Sequence, residues 1–442
     1  MIYDQRYLDR MKEMLGSEYP AFFASLNEER TYGLRFNALK VADDKLDEIR
    51  ETLNLNLEPI SWEKRGYYYS SDEQPGKHIL HDLGAYYIQE PSAQSVVSQL
   101  DIHEGELILD LCAAPGGKST QILSYLNNTG LLISNEIMKD RSLVLASNIE
   151  RMGAKNSVVL NENPDTLAKH FPLTFDRILI DSPCSGEGMF RKNPEAMSEW
   201  SEENVQICIE RDDDILNAAS TMLKMGGRIV YSTCTFEYGE NEGAIERFLE
   251  SHSDFKCLSM ERLYPHKVKG EGHFYAVLVR DGELPDNRKI STGKGVKLKS
   301  AKDFPEFSEF ITQTFVKDSE IYEQVTNSNL LLLNDNLYLL NPLGPDLKGL
   351  HVIRAGLLLG CFKKNRFEPS HTLAMALNQS EVINCFDCDE TEILKFLKGE
   401  TLNTDTSVKG WTLITYKGIS AGWSKAAGGV LKNHYPKGLR RY

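Results

Sequence analysis

Two cysteines stand where chemistry is easy to imagine. Cys184 lies in Asp181-Ser182-Pro183-Cys184-Ser185-Gly186 and Cys234 in Ser232-Thr233-Cys234-Thr235, each motif following an apolar run with strand character. A lone cysteine is usually a small buried hydrophobe. Two at the ends of neighbouring strands, beside carboxylates, are harder to explain that way. No nearby His or further Cys completes a tetrahedral metal set, and a reducing cytosol disfavours a disulfide. A nucleophilic thiol remains.

The partners of those thiols define the chemistry. Leu107-Ile108-Leu109-Asp110 reads as a strand, Cys112-Ala113-Ala114-Pro115-Gly116-Gly117-Lys118 as a tight turn, and Lys118 onward as a helix. Small residues there let the backbone approach a ligand, and the helix's free N–H groups favour an electron-rich group. A phosphate-binding Walker loop needs glycine where Cys112 stands, and the spaced glycines of a dinucleotide fingerprint are absent. Glu136 ends the next strand, where a carboxylate accepts both ribose hydroxyls of a nucleoside cofactor. A thiolate beside such a cofactor suits one reaction in particular. Carbon 5 of a pyrimidine is too weakly nucleophilic to attack a methyl sulfonium, but adding a thiolate to carbon 6 makes it an enamine carbon. An acid near N3 steadies the developing charge, a base removes the carbon 5 proton, and the thiol leaves. Methylation of an exocyclic amine calls instead for Asp/Asn-Pro-Pro and an aromatic, and Cys184 stands where that aromatic would be.

These residues converge only if the chain folds as an open parallel sheet, whose ligands bind at the carboxyl ends of the strands. The alternation of strand and helix patterns from residue 106 to 280 predicts that sheet. Strands are expected at 106–111, 131–136, 157–160, 175–181, 228–233 and 274–280. Helices are expected from Lys139 to a stop at Gly153, over Ser201–Lys224 and over Glu240–Glu250, with an apolar helix through Val96, Val97 and Leu100 capped by Ser92. Asp212-Asp213-Asp214 reads as a solvated helix face. The fold class is α/β, a Rossmann-like, mostly parallel sheet with smaller flanking domains.

The 442 residues allow several domains. The expected division is 1–75 (opening on an amphipathic helix through Tyr7, Leu8, Met11, Met14 and Leu15), 76–283, a Lys/Gly/Ser-rich linker at 284–304, 305–375, and a basic β-rich module at 376–442. No apolar run approaches the ~18 residues of a membrane span, and the N-terminus lacks a secretory stretch, so a cytoplasmic protein is expected. The eight cysteines are scattered, and Cys385-Phe386-Asp387-Cys388 has no second pair at zinc spacing. Neither metal nor membrane is expected. Net charge is −14, yet Lys409–Tyr442 holds seven cations and no acid. That patch, with Trp411, Trp423, Tyr416 and Tyr435, suits stacking and phosphate contacts on RNA; the plainer alternative is a small β core with a solvated basic face.

CAAPGGK at 112–118, DSPCSGEG at 181–188, STCT at 232–235 and GAYYIQEPSA at 84–93 together resemble the Sun/Nop family of S-adenosylmethionine-dependent RNA cytosine-5 methyltransferases. The C-terminal extension, especially GWSKAAGGVLKNHYPKGLR at 422–440, resembles the family's bacterial RsmF branch, which methylates small-subunit ribosomal RNA. The resemblance implies a class I methyltransferase with an N-terminal RNA-binding domain and a PUA-like C-terminal module. It makes Cys234 the nucleophile and Cys184 the aid to product release. The DNA cytosine-5 enzymes use the Pro-Cys cysteine to attack, and the residues alone do not choose. Asp181 would contact the cytosine and the cofactor, with Lys118 supporting the loop. S-adenosylmethionine would lie on Cys112, Ala113, Ala114, Pro115, Gly116, Gly117 and Lys118, with Glu136 at its ribose. Asn163 stands where the family has an Asp at the adenine; its amide oxygen can still accept a hydrogen bond, and Asp165 is the substitute. The partner is ribosomal RNA or the small subunit, bound by a monomer. Transfer RNA is the rival substrate, and a non-catalytic assembly factor the rival class.

Overall fold

The computed structural model describes residues 3–193, 197–198, 200–283, 299–364 and 366–441. Its centre is an eight-stranded sheet, whose strands are labelled here β1 (Leu107–Asp110), β2 (Leu131–Asn135), β3 (Ser157–Leu160), β4 (Phe175–Asp181), β5 (Leu223–Thr233), β6 (Phe255–Leu263), β7 (His273–Arg280) and β8 (Val352–Arg354). The spatial order is β6-β7-β5-β4-β1-β2-β3-β8. The five strands from β3 to β5 pair in parallel, and β6, β7 and β8 join at the two edges through antiparallel pairs. The sheet order reverses between β1 and β4, which opens the ligand crevice at their carboxyl ends.

Helices cover both faces: α1 (Gly117–Leu126), α2 (Lys139–Arg151), α3 (Pro164–His170), α4 (Glu202–Met222) and α5 (Glu242–Ser251). Strand residues alternate between two apolar clusters. Leu107, Leu109, Ile178 and Ile180 join Leu167, Leu216, Ala219 and Ile245 on the α3–α4–α5 side. Ile108 and Leu179 join Ile122, Leu123, Leu145 and Ile149 on the α1–α2 side. Burial on both faces is why these strands read as nearly continuous apolar runs.

Several expectations need correction. The apolar helix through Val96 is two short 3-10 turns, Ser92–Ser95 and Val97–Leu100. Ser92 caps nothing. Glu90 accepts from the Ser92 and Ala93 amides at 2.9 and 2.8 Å. Ser95 and Ser98 donate to carbonyls three residues back, a local alternative to the helical pattern. Most of the linker region, 284–298, lies outside the described residues. Its end does not behave as a linker: Lys299 pairs with Leu330, and Ala301 and Phe304 are buried.

The flanking regions lock onto the central sheet. The helices Gln5–Leu15 and Tyr19–Ser25 place Tyr7, Met11 and Phe22 against Phe190, Trp200 and Phe236 of the catalytic region. A four-stranded sheet follows, and its last strand, Tyr86–Ile88, lies beyond residue 75. Downstream, one four-stranded and one five-stranded sheet form, and the segment between strands Asn336–Leu339 and Leu357–Lys363 lends β8 to the central sheet. Leu34, Phe36 and Tyr86 belong to one apolar cluster with Ile393, Phe396 and Leu431, so the N-terminal sheet and the C-terminal module share a core. The aromatic RNA platform is a further correction. Trp423, Tyr435 and Tyr416 are 1%, 5% and 6% exposed, and Trp423 packs in the cluster of Phe307, Phe310 and Phe367. A small β module needs large apolar side chains on its inward face. Only Trp411 stays half-exposed, with Lys425 over its ring.

Candidate active site

The carboxyl ends of β1, β2, β4 and β5 open into one cavity of about 850 Å³. Cys112 to Pro115, Gly117, Lys118, Glu136, Asn163, Asp181, Cys184 and Cys234 all line it; of the residues expected at the site, only Gly116 lies behind its wall. Gly116 has φ +111°, a conformation that favours glycine, and a Cβ there would come within 3.1 Å of Leu145. It turns the chain from β1 into α1. The loop is held from outside: Arg141 donates to the Ala114 carbonyl at 2.8 Å and Asn148 to that of Pro115 at 2.9 Å.

The cavity has two zones. In the first, Glu136 is buried at the end of β2, its carboxylate accepting from the Met138 amide at 2.8 Å. Ile137 and Met138, 54% and 58% exposed, line the cavity beside it. Asn163 caps α3, its amide oxygen accepting from the Asp165 amide at 2.8 Å. A carbonyl-type oxygen has a second lone pair, so this contact leaves capacity for a ligand. Asp165 lines the same wall. Asp110 is buried; Ser119 donates to its Oδ2 at 2.6 Å, and Oδ1 has no hydrogen-bond partner. Burial pushes its carboxyl up to about 7.

In the second zone the sulfurs of Cys184 and Cys234 lie 3.4 Å apart. The contact with Cys234, and burial after it, push the Cys184 thiol well up, so it keeps its proton. Lys118 Nζ lies 2.8 Å from Asp181 Oδ1, and the Ser232 hydroxyl donates to the same oxygen at 3.0 Å. Burial, the largest effect, would raise the Asp181 carboxyl, but its neighbours, led by the Lys118 ammonium and including the Ser232 hydroxyl, together hold the group below its ordinary value. Asp181 is therefore an ionised carboxylate inside a polar cleft.

Two residues lining the cavity and two buried behind it are not assigned to the site from the sequence. His273, at the start of β7, is buried with Nε2 at 3.8 Å from Asp181 and no hydrogen-bond partner; burial drops it to about 3, so it is neutral. Glu90 lines the cavity from the opposite wall. Asp212 is fully buried and accepts from the Ser182 hydroxyl, so the solvated-face expectation fails there. The signal was present: Asp212 is one helical turn from both Cys208 and Leu216, the buried face of α4. Asp213 does point outward, to Arg247 at 2.9 Å. Glu240 precedes α5 and is fully buried against Ser185; no local pattern announces it.

Burial raises Asp110 and Asp212 to about 7 and Glu240 to about 8. An unfolded chain releases these protons near pH ~4. Between that pH and the folded values the native state holds protons that the unfolded state has lost, so stability falls as pH rises and levels off above about pH 8. The thermal midpoint is expected to drop between pH 6 and 8.5, and Asp212→Asn with Glu240→Gln to flatten that slope. Equal slopes in scanning calorimetry would refute the assignment.

A cleft at the switch point of a Rossmann-like sheet, opening onto two thiols and an Asp–Lys pair, is the arrangement of a class I methyltransferase. Family models for the 16S rRNA methyltransferase RsmB/F match residues 97–279, the N-terminal domain of 16S rRNA methyltransferase RsmF residues 4–91, its first C-terminal domain 314–377 and its PUA domain 383–441. Ribosomal RNA small subunit methyltransferase F of Vibrio vulnificus is 30% identical, covering 99% of this chain and 97% of its own. That of Shewanella piezotolerans is 28% identical over the same shares. Among solved structures, NSun6 from Pyrococcus horikoshii superposes with a TM-score of 0.57 at 21% identity, over 63% of this chain and 99% of that one, a likeness of fold. The chain belongs to the RsmF family of 16S rRNA methyltransferases, S-adenosylmethionine-dependent enzymes that act on carbon 5 of cytidine. No helix among the described residues is long and apolar enough to cross a membrane.

Proposed function

We propose that this chain makes 5-methylcytidine in 16S ribosomal RNA through a covalent adduct on Cys234, with Cys184 releasing the product. The observation that carries the reading is the 3.4 Å separation of the two sulfurs in the cavity that Asp181 and Lys118 also line. The residues of the first zone fit the cofactor. Glu136 offers an acceptor for ribose hydroxyls, Ile137 and Met138 an apolar flank for adenine, Asn163 and Asp165 acceptors for its amino group, and the unpartnered Asp110 Oδ1 an acceptor deep in the cradle. Bound there, S-adenosylmethionine supplies an electrophilic methyl group.

The chain's own residues do the rest. The Cys234 thiol gives up its proton to solvent, its sulfur adds to carbon 6 of the cytosine, and the electron pair displaced from the 5,6 double bond makes carbon 5 nucleophilic. Asp181, ionised and fixed by Lys118, faces the cytosine's polar edge and orients it. After methylation the carbon 5 proton passes to a base, the 5,6 double bond re-forms, and the pair of the carbon–sulfur bond leaves on Cys234. Cys184 keeps its proton within reach of that sulfur, donates it as the thiolate departs, and takes a proton back from solvent. The target base must leave its stack to enter the cavity, which favours single-stranded or splayed ribosomal RNA.

We also read 1–75, 76–283, 305–375 and 376–442 as the chain's units. The site is complete within one chain, consistent with a cytoplasmic monomer acting on ribosomal RNA or the small subunit. The test is methyl transfer from labelled S-adenosylmethionine to total RNA, mapped by mass spectrometry: 5-methylcytidine in 16S rRNA supports the reading, and label confined to transfer RNA, or no labelled cytosine, overturns it. Within this reading, Glu136→Ala is expected to raise the KM for S-adenosylmethionine roughly 10–100-fold, the worth of a charge-assisted hydrogen bond, with the KM for RNA unchanged. A KM for S-adenosylmethionine equal to wild type would remove Glu136 from the cofactor site.

A further inference from the structure

Cys184 and Cys234 sit on separate loops, and their mutual distance depends on whatever joins those loops. Beyond the cysteines, Glu187 on the Phe236 amide and the Gly188 amide on the Cys234 carbonyl tie the loops together; next to the cysteines a second buried carboxyl does so. Glu240 Oε2 accepts from the Ser185 amide at 2.8 Å, its Oε1 lies 2.5 Å from the Ser185 hydroxyl, and that hydroxyl lies 2.7 Å from Thr235 Oγ1. Ser185 follows Cys184 and Thr235 follows Cys234. We propose that Glu240 is a positioning residue that holds Cys184 in register with Cys234, and that its contribution falls on product release rather than on attack.

The asymmetry follows from what else holds each loop. The Cys234 loop has anchors independent of Glu240: Asn241 accepts from the Thr233 hydroxyl at 2.6 Å and donates to the Thr235 carbonyl at 3.0 Å, and the Gly188 amide donates to the Cys234 carbonyl at 2.8 Å. The Cys184 loop is fixed before the cysteine by Ser182 on Asp212 and on the Ser232 carbonyl, directly after it by Ser185 on Glu240, and again only two or three residues further on by Glu187 and Gly188. Gly186 then turns at φ +72°. Freeing Ser185 therefore loosens Cys184 while Cys234 stays placed. Glu240 accepts from the Ser185 amide on Oε2 and from the Ser185 hydroxyl on Oε1. A glutamine side chain keeps an acceptor for the amide and sets its NH2 against the hydroxyl, which can then turn its proton to Thr235 Oγ1 2.7 Å away.

This inference rests on the release role read for Cys184 above. The experiment uses the full chain with S-adenosylmethionine and methylatable RNA, and reads two quantities: steady-state turnover and the fraction of protein in a denaturation-resistant RNA adduct. Glu240→Ala and Ser185→Ala should lower turnover roughly 10–100-fold, the scale of a small misplacement of a reacting group, and should raise the adduct fraction several-fold, with the KM for S-adenosylmethionine unchanged. Glu240→Gln should restore turnover to within a few-fold of wild type. Ser185→Ala keeps the buried acid and serves if Glu240→Ala does not fold. The proposal is overturned if Ser185→Ala leaves both readouts at wild-type levels, if turnover and adduct fall together, or if Glu240→Gln is as slow as Ser185→Ala. Failure of the underlying reading is separable: Cys184→Ala would then accumulate no adduct.

Discussion

Cys234→Ala is expected to abolish 5-methylcytidine formation, lowering turnover by on the order of 10⁴-fold or more, the scale on which losing a covalent nucleophile acts. Nothing else in the cavity can replace it. Cys112 also lines the cavity, but burial pushes its thiol well up. Cys184 faces the same space and also keeps its proton. Binding should survive the substitution, because Asp110, Glu136 and Asn163 stand on other strands and loops. The variant should therefore retain wild-type affinity for S-adenosylmethionine while making no product. Residual turnover within about 100-fold of wild type would mean that Cys184 attacks, as in the DNA cytosine-5 enzymes.

The second large effect is expected at Asp181. Asp181→Asn keeps the shape and removes the charge that pairs with Lys118 at 2.8 Å. Turnover should fall about 10²–10³-fold, the range for removing one preorganised polar group from a reacting centre. The substitution also leaves a Lys118 side chain that is 9% exposed without its counter-charge, so some loss of stability accompanies the loss of rate. Lys118→Met should be slow for the complementary reason, and the double variant should be no slower than the worse single one, since each removes the same contact. Fully additive losses would show that the two residues act separately.

The parts of this molecule legible in its sequence are those where local pattern and tertiary demand agree. Ile108, Ile178 and Ile229 lie in strands buried on both faces, so their apolar runs stand out. Asp110, Glu136, Asp181 and Thr233 end those runs, and the order of the strands brings their followers to one cavity. The edges were not legible. β6 is exposed over most of its length between Phe255 and Leu263, and so lacks an apolar face to read. β8 is three residues long, and its pairing partner, β3, lies far away in the chain. Partner identity decided the aromatics too: the same Trp and Tyr residues suit an RNA platform or a core, and only the cluster with Phe310 and Phe367 shows that Trp423 is core. Asp212 was readable, since helical periodicity puts it on the buried face of α4, but a run of three acids suggests solvent. Glu240 was not, because its burial is made by two loops that meet only in the folded chain.

The account turns on a covalent bond between Cys234 and carbon 6 of a cytosine, and that bond can be observed. Wild type, Cys184→Ala and Cys234→Ala would each be incubated with S-adenosylmethionine and 16S rRNA, denatured, digested with nuclease and weighed as intact protein. The account predicts a methylcytidine-containing mass increment on Cys184→Ala, localised by peptide fragmentation to Cys234, with no increment on Cys234→Ala. An increment on Cys234→Ala located at Cys184, or none on any of the three while methylation proceeds, would contradict it.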